Sequence, residues 1–469
     1  MKYSPRFRLF PTTQQRELLE ENVDIVRQLY NDRLKRFNEI PDASGTLTER
    51  VRMARDELPD MKQWWEDLNK VYSTVLQTAT MRIRDNKRGL QELQANGYDA
   101  GGLKWKPPRE FRSFTYNLRG FELDKNSGPT GRGLLTLKKV AGETIDVPIR
   151  LHRDLPDGEV KQLTIKQEPT GAWYASFTIQ TDQPEKPDVT DIDPDDCVGI
   201  DLGIQSFIHD SDGRAIGRLY LDDDRERLER EQRSLSRKQH GSNNWEEQRQ
   251  QVAEVHADMS NKKHDFKHKL AHFYTAEYDA VFLEDLDVRG MLEADKNARN
   301  KHEVGWHDMI SIFEHHGRKN GCHVGTVDPA GTTKECAQCG AEMDKPVWVR
   351  THDCPRCGLE ADRDLNAAYN VLERGLDELG VVHSEATSSE SQSDSDGRTR
   401  ASLSLTSPER EAFWCANESQ SDSLTPVETA TAVSADGSGY SATNVVDASR
   451  VVEAGSPALK ERTASAVSE

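Results

Sequence analysis

Four cysteines and three carboxylates carry the clearest chemical potential in this chain. The cysteines form two Cys-x-x-Cys pairs, Cys336/Cys339 and Cys354/Cys357, separated by fourteen residues in CAQCGAEMDKPVWVRTHDCPRCG. Two thiolates at that spacing grip one face of a tetrahedral zinc ion, and a second pair closes the other face. The interval between the pairs falls just short of the usual zinc-ribbon spacing. Two disulfides would be the competing arrangement. The N-terminus carries no secretory leader, however, so a four-thiolate zinc site is expected.

The carboxylates are Asp201, Glu284 and Asp364. Asp201 stands among apolar residues in CVGIDLGIQSFIHD, a strand-like run that leads to the turn signal DSDG at Asp210–Gly213. An unpaired charge there is costly, so Asp201 needs a partner, and a cation would serve. Glu284 ends the buried-type strand AVFL within DAVFLEDLDV. Asp364 follows Cys357 by seven residues, in DRDLNAA, where a helix is expected to begin near Asp362. Its apolar stripe would be Leu365, Ala368/Tyr369, Leu372, Leu376 and Leu379. Taken singly, Glu284 reads as a surface acid and Asp364 as a helix cap.

As an ordered set, GIDLGI, FLEDL and a cysteine knuckle running into DRDLNAA resemble the TnpB (OrfB) accessory transposases of bacterial and archaeal insertion sequences. These are relatives of the type V CRISPR effector nucleases. The resemblance runs from about residue 1 to 380 and is most specific over 197–372. It implies an α/β fold with an RNase H-like (RuvC) nuclease core, split acidic motifs and a zinc ribbon before the third of them. Asp201 matches the first catalytic acid, Glu284 the second and Asp364 the third; Asp362, Asp285 and Asp287 remain near alternatives. Three converging carboxylates repel one another unless divalent cations neutralise them. A pair of magnesium ions is therefore expected at the acids, besides structural zinc at the thiolates. The implied activity is RNA-guided hydrolysis of target double-stranded DNA, with guide RNA from the same element. A non-cleaving zinc-ribbon regulator and a strand-transferring transposase are the alternatives. Retention of all three acids argues against the first, and no second site for joining ends is visible.

At 469 residues the chain is long enough for two to three domains. It has no apolar run of bilayer-spanning length, so a soluble cytoplasmic protein with no membrane partner is expected. Cys197, Cys322 and Cys415 are scattered singles and read as reduced thiols. The net charge of −19 argues at face value against a nucleic-acid partner. Part of it sits in residues 381–469, which hold fourteen acidic and six basic residues. Lysine is scarce beside arginine, 24 against 38, as a salt-rich cytoplasm would favour, which suggests a haloarchaeal source. Counterion release drives binding weakly in such salt, leaving more to arginine forks and base stacking.

The remaining elements must position these groups. Residues 1–11 and 96–183 read as a β-barrel wedge, built from FRLF at Phe7–Phe10 and the runs LLTLKKV, TIDVPIRL, VKQLTIKQE and WYASFTIQ. Residues 12–95 read as a helical recognition lobe, with one helix after Pro11 and another over about 61–95 that carries Trp64 and Trp65 as core residues. KWKPPREFRSFTY, Lys104–Tyr116, mixes basic and aromatic residues suited to nucleic acid. After a linker at 184–196 comes the nuclease core, 197–335 and 358–380, around the ribbon at 336–357. It includes a helical hairpin, 224–275, with the stripe Val252, Val255, Met259, Phe266, Leu270 and Phe273. Residues 225–270 have a net charge of +3, and RSLSRK offers Arg233, Arg237 and Lys238 to a nucleic-acid backbone. A further helix is expected over Lys301–Asn320; its histidines, His302, His307, His315 and His316, receive no role. The Ser-rich acidic tail, 381–469, lacks the apolar density to fold and is expected to be disordered.

Overall fold

Alternation of apolar and polar residues builds the first unit, Met1–Asp182 with Arg227–Ala257. The structure is a computed structural model that describes residues 1–128, 132–140, 142–203, 206–286, 306–346, 348–381 and 445–446. Eight strands pair in this unit: β1 (Lys2–Tyr3), β2 (Arg6–Leu9), β3 (Ser113–Asn117), β4 (Phe121–Asp124), β5 (Gly133–Lys138), β6 (Thr144–Arg150), β7 (Glu159–Gln167) and β8 (Trp173–Gln180). Every second residue of β8 is buried, namely Trp173, Ala175, Phe177 and Ile179, as the two-residue strand period requires. The order is β3-β7-β8-β2-β6-β5-β4, with β1 also on β8. Its two end strands, β3 and β4, are joined by just Leu118–Gly120, so the sheet must curl back on itself into a near-closed barrel.

Between β2 and β3 lie four helices. The first, α1 (Thr13–Glu39), opens with a capping box in which Thr12 and Gln15 satisfy each other's backbone amides. A second box, Thr46 with Glu49, starts α2 (Leu47–Asp56), a helix that the sequence reading passed over. The single helix expected over 61–95 is two: α3 (Leu58–Trp64) and α4 (Ser73–Ala95), with a 3-10 turn at Glu66–Lys70 between them. Leu68, Val75 and Leu76 are buried. Trp64 is not a core residue: it is 66% exposed and stacks on Trp65.

The second unit is Gln183–Glu226 with Asp258–Glu469. Its sheet holds β9 (Cys197–Asp201), β10 (Ser206–Asp210), β11 (Ala215–Gly217), β12 (Ala280–Glu284) and β13 (His323–Val327). Strands β9, β10 and β11 form an antiparallel meander, and β12 and β13 continue it in parallel on the other side of β9. That is the mixed arrangement expected of an RNase H-like core. All residues of β9 and β12 are buried, because central strands are covered on both faces. Helix α5 (Asp222–Ser236) leaves this unit and α6 (Asn243–Glu277) returns to it. Residues 227–257 thus cluster with the barrel unit, where Arg109 pairs with Glu246 and Gln250 donates to the Thr170 carbonyl. On α6, Val255, Phe266 and Leu270 are buried, but Phe273 is exposed; Ala271 and Tyr274 take the inward positions, and Tyr278, just past the helix end, is buried too.

Helix α7 (Trp306–Asn320) bridges β12 and β13, and α8 (Arg363–Leu379) packs on β9. Asp362 caps α8 at its start and Gly380, at φ 82°, ends it. The buried face of α8 is Ala367, Ala368, Val371, Leu372, Gly375 and Leu376; Leu365 and Tyr369 are only half-buried. A two-stranded ribbon, β14 (Thr351–Asp353) with β15 (Glu360–Asp362), leads into it. Of the tail, Val445–Val446 is described: as β16 it pairs in parallel with β11. No helix among the described residues is long and apolar enough to cross a membrane.

Candidate active site

Parallel pairing sets two of the three acids side by side. Leu283 pairs with Ile200, so the next residues, Glu284 and Asp201, emerge together at the carboxyl ends of β12 and β9. Asp201 is thus at the end of its strand rather than in its middle. The third acid arrives on α8, whose approach depends on glycines. A Cβ on Gly199 would lie 2.3 Å from the Ala368 carbonyl oxygen and 2.4 Å from the Leu372 nitrogen. A Cβ on Gly375 would strike the Phe282 ring at 2.1 Å. Backbone-to-backbone contact between helix and strand therefore delivers Asp364 to the strand ends. Asp201, Glu284 and Asp364 are all buried, at 6%, 5% and 8% exposure.

Crowding shows in their electrostatics. Burial, then the neighbouring Glu284 and Asp364, raises the Asp201 carboxyl well above its usual range. Glu284 is raised by burial and by Asp364, against the lowering pull of the Thr332 hydroxyl and Arg374. Thr332 Oγ1 donates to Glu284 Oε1 at 2.6 Å. Replacing Thr332 with valine should remove that bond, lift Glu284 further, and move the acid limb of any cleavage reaction to higher pH. A pH–rate profile checks it.

Two basic groups, neither singled out from sequence, border the acids. Arg350, before β14, donates to Asp364 and lies 3.8 Å from Asp362. His209 stands opposite Asp201 in the β9–β10 register, 3.8 Å from Asp362, and its buried Nδ1 has no hydrogen-bond partner. Ligand atoms of His209, Asp362 and Asp364 lie within 4.8 Å of one another. Asp362 is therefore both helix cap and neighbour of the site, whereas Asp285 is exposed and Asp287 lies outside the described residues. An orphaned imidazole nitrogen among converging carboxylates is a donor set that fits a divalent cation. Sequence could not have announced His209, because its place opposite Asp201 is set by the register in which β10 pairs with β9.

The cysteines form the second centre. The Sγ atoms of Cys336 and Cys357 are 3.6 Å apart, as are those of Cys339 and Cys354. Zinc–sulfur bonds of about 2.3 Å place tetrahedral sulfurs ~3.8 Å apart, so the four fit zinc. Each knuckle turns on a glycine in the left-handed region, Gly340 at φ 68° and Gly358 at φ 78°. Two buried amides tie this ribbon to α8. Asn366 accepts from the Ala337 N–H and donates to the Glu335 carbonyl; Asn370 donates to the carbonyls of Thr332 and Glu335. Cys354→Ser should therefore lose the bound zinc and, through these amides, reduce cleavage at least tenfold, as metal content and activity measured together would show. Among the remaining cysteines, burial pushes the thiols of Cys197 and Cys322 up to about 12, consistent with inert thiols. Cys415 lies outside the described residues.

Arg233, Arg237 and Lys238 sit at and just beyond the end of α5, in the first unit, whereas the acids are in the second. Arg233 and Arg237 are exposed, and Arg233 pairs with Glu229 at 3.3 Å. His302 lies outside the described residues, as does the His307 side chain.

Residues 178–295 match a family described as "Probable transposase", 306–371 a "Cas12f1-like, TNB domain" and 1–40 a "Helix-turn-helix domain". A "Putative RNA-guided DNA endonuclease" of Streptomyces pristinaespiralis is 32% identical over 380 residues, spanning 80% of this chain and 90% of that protein. The chain belongs to the TnpB/OrfB family. InsQ of Escherichia coli strain K12, described in the same words, is 29% identical over 237 residues, 46% of this chain and 57% of the relative. In fold, the chain is similar to the protein in a Cas12f1-sgRNA-target DNA complex, with a TM-score of 0.51 at 14% identity over 77% of this chain and 83% of the other. The nuclease core of the family thus carries, in this chain, a four-cysteine cluster and a separate His/Asp cluster, each able to hold a metal.

Proposed function

We propose that the chain is an RNA-guided DNA endonuclease of an insertion sequence, hydrolysing phosphodiester bonds at one site built from Asp201, Glu284 and Asp364. The observation that carries the reading is the burial of these three acids together at the carboxyl ends of β9 and β12, within a member of this family. Bound there, magnesium supplies Lewis-acid chemistry to a phosphodiester, and two ions suit the charge of three carboxylates. Asp201 and Glu284 hold fixed positions on the sheet, while Asp364 is set by the first turn of α8. Arg350 brings a guanidinium beside Asp364, where it can pair with a phosphate oxygen once the carboxylate is otherwise neutralised. His209 completes the polar wall. The four cysteines hold zinc and keep the ribbon folded against α8.

Surface features of the first unit support nucleic-acid partners, namely guide RNA from the same element and target double-stranded DNA. On β2 and β8, Arg6 lies 4.5 Å and Arg8 5.2 Å from the Tyr174 ring centroid, and Arg132 lies 3.7 Å from that of Phe10. Trp105 is 63% exposed, although a pair of hydrogen bonds between the Asn31 side-chain amide and the Lys106 backbone anchors its segment. Such stacked arginines and an exposed indole suit binding in high salt. With the acid excess and scarce lysine, they favour a haloarchaeal cytoplasm as the working environment.

The test is purification with RNA co-expressed from the element, then incubation with magnesium and a plasmid library bearing randomised flanks. RNA-dependent double-strand cuts beside a common flanking motif are expected. Joined DNA products would replace this reading with a strand-transferring transposase. Tight binding without cuts would replace it with a regulator.

A further inference from the structure

Trp348 is the most exposed large hydrophobic side chain among the described residues, at 78%. Apolar residues scattered singly over a surface are ordinary; this one is set apart by its place. The Val349 N–H donates to the Pro346 carbonyl at 3.0 Å and closes the turn that carries the indole. Lys345, before the turn, donates through Nζ to the carbonyls of Thr351 and Asp353 on β14. Arg363, the first residue of α8, ties down the other side. Its backbone N–H donates to the Arg350 carbonyl at 2.6 Å, and its Nη1 to the Pro346 carbonyl at 3.5 Å. Those contacts hold the turn beside the acids. Asp364 follows Arg363 in α8, and Arg350, two residues past Trp348, donates to the Asp364 carboxylate.

We propose that Trp348 is the platform on which a base of the unpaired DNA strand held at the acids stacks, an inference that rests on the nuclease reading above. An indole offers a flat, uncharged face, and base–aromatic stacking needs only the π-face that every base has. Its surroundings suit the rest of a nucleotide. Two residues of chain span at most about 7 Å, so the Arg350 guanidinium is within reach of a phosphate next to the stacked base. A protein partner fits less well. A stable interface buries about 800 Å² on each side, whereas one tryptophan supplies at most about 250 Å². The residues around Trp348 are charged, exposed Asp344 and half-buried Lys345 and Arg350, and add no other exposed large hydrophobic side chain. In a duplex each base face is covered by its stacked neighbours, so the platform accepts a strand only where it is unpaired. Sequence is read from base edges, not faces, so Trp348 sets the strand over the acids without choosing its bases. A nuclease directed by a guide needs that tolerance.

The test is binding of labelled oligonucleotides by the zinc-loaded full chain, in the Asp201→Asn background with magnesium, read by fluorescence anisotropy. Oligothymidylate is compared with an abasic strand of the same length. Trp348→Ala should bind oligothymidylate about 5- to 100-fold more weakly than its parent and the abasic strand equally well. Trp348→Phe should keep most of the affinity. Zinc content and melting temperature should match throughout, since backbone hydrogen bonds, Lys345 and Arg363 hold the turn. Unchanged oligothymidylate binding by Trp348→Ala would overturn the platform. An equal loss on both strands would overturn it too, because it would place the effect in backbone contacts. Self-association of the parent that Trp348→Ala abolishes, with oligothymidylate binding intact, would assign the indole to a second copy of the chain instead. These outcomes are read from binding alone, so an absence of cleavage by the wild type would count against the nuclease reading and not against the stacking.

Discussion

Asp201→Asn should abolish magnesium-dependent cleavage and, in the same protein stripped of metal, raise the melting temperature. The loss follows from removing a charged ligand at the end of β9: several kcal/mol of transition-state stabilisation corresponds to at least about a thousandfold in rate. The gain follows from the buried charge. Burial, Glu284 and Asp364 raise the Asp201 carboxyl above its unfolded value. The stability that such a group contributes is present below about pH 4 and is lost as pH rises through the folded value. At neutral pH without metal, folding works against the ionised form that Asp201 takes in the unfolded chain, and asparagine of the same shape removes that cost. Magnesium should then stabilise the wild type more than the variant. Calorimetry from pH 4 to 8, with EDTA or with magnesium, reads both effects. A variant that cuts normally, or one that melts below the metal-free wild type at pH 7, would contradict the shared site.

Gly199→Ala should be nearly as damaging without touching any carboxylate. The new methyl has backbone on its far side, the Ala368 oxygen and the Leu372 nitrogen, which cannot rotate away. Helix α8 must lift from β9, and Asp364 in its first turn moves with it. Overpacking of this kind costs about 1–3 kcal/mol of stability, so the protein should still fold. Misplacing the third acid by an ångström is expected to cost about a hundredfold or more in cleavage. Gly89→Ala, which meets nothing within 4 Å, is the matched control. Wild-type cleavage by Gly199→Ala would mean that the helix does not set the acid's position.

Sequence alone made the chemistry of the cysteines plain, because a Cys-x-x-Cys-Gly knuckle is a local structure: its spacing and its turn glycine lie within five residues. The carboxylates were legible less directly, as ends of apolar runs, and their assembly came from resemblance rather than from any property of one run. The groups that escaped notice act across long separations. Thr332 reaches Glu284 from 48 residues away, and Asn366 reaches Ala337 from 29. Asn366 lies inside DRDLNAA, but nothing in that run names its partner, and nothing near Thr332 marks that residue. Gly199 looked like any strand glycine until the opposing helix was in place. Trp64 was misjudged for a similar reason: helical periodicity places it inward, but the chain leaves the helix at that residue. On α6 the inward side was read one residue out at Phe273, since Tyr274, which donates to Asp210 at 2.8 Å, takes the buried position.

Strand β2 finds its neighbour β8 only after some 165 intervening residues, with Arg6 opposite Ser176 and Leu9 opposite Trp173. A ribosome emitting this polypeptide therefore exposes β2 with both edges unpaired, and must synthesise four helices and five more strands before β8 satisfies the last of them. During that interval the nascent N-terminal segment is open to mispairing, and chaperone capture or slow elongation would govern the yield of active molecules more than the equilibrium stability of the finished barrel.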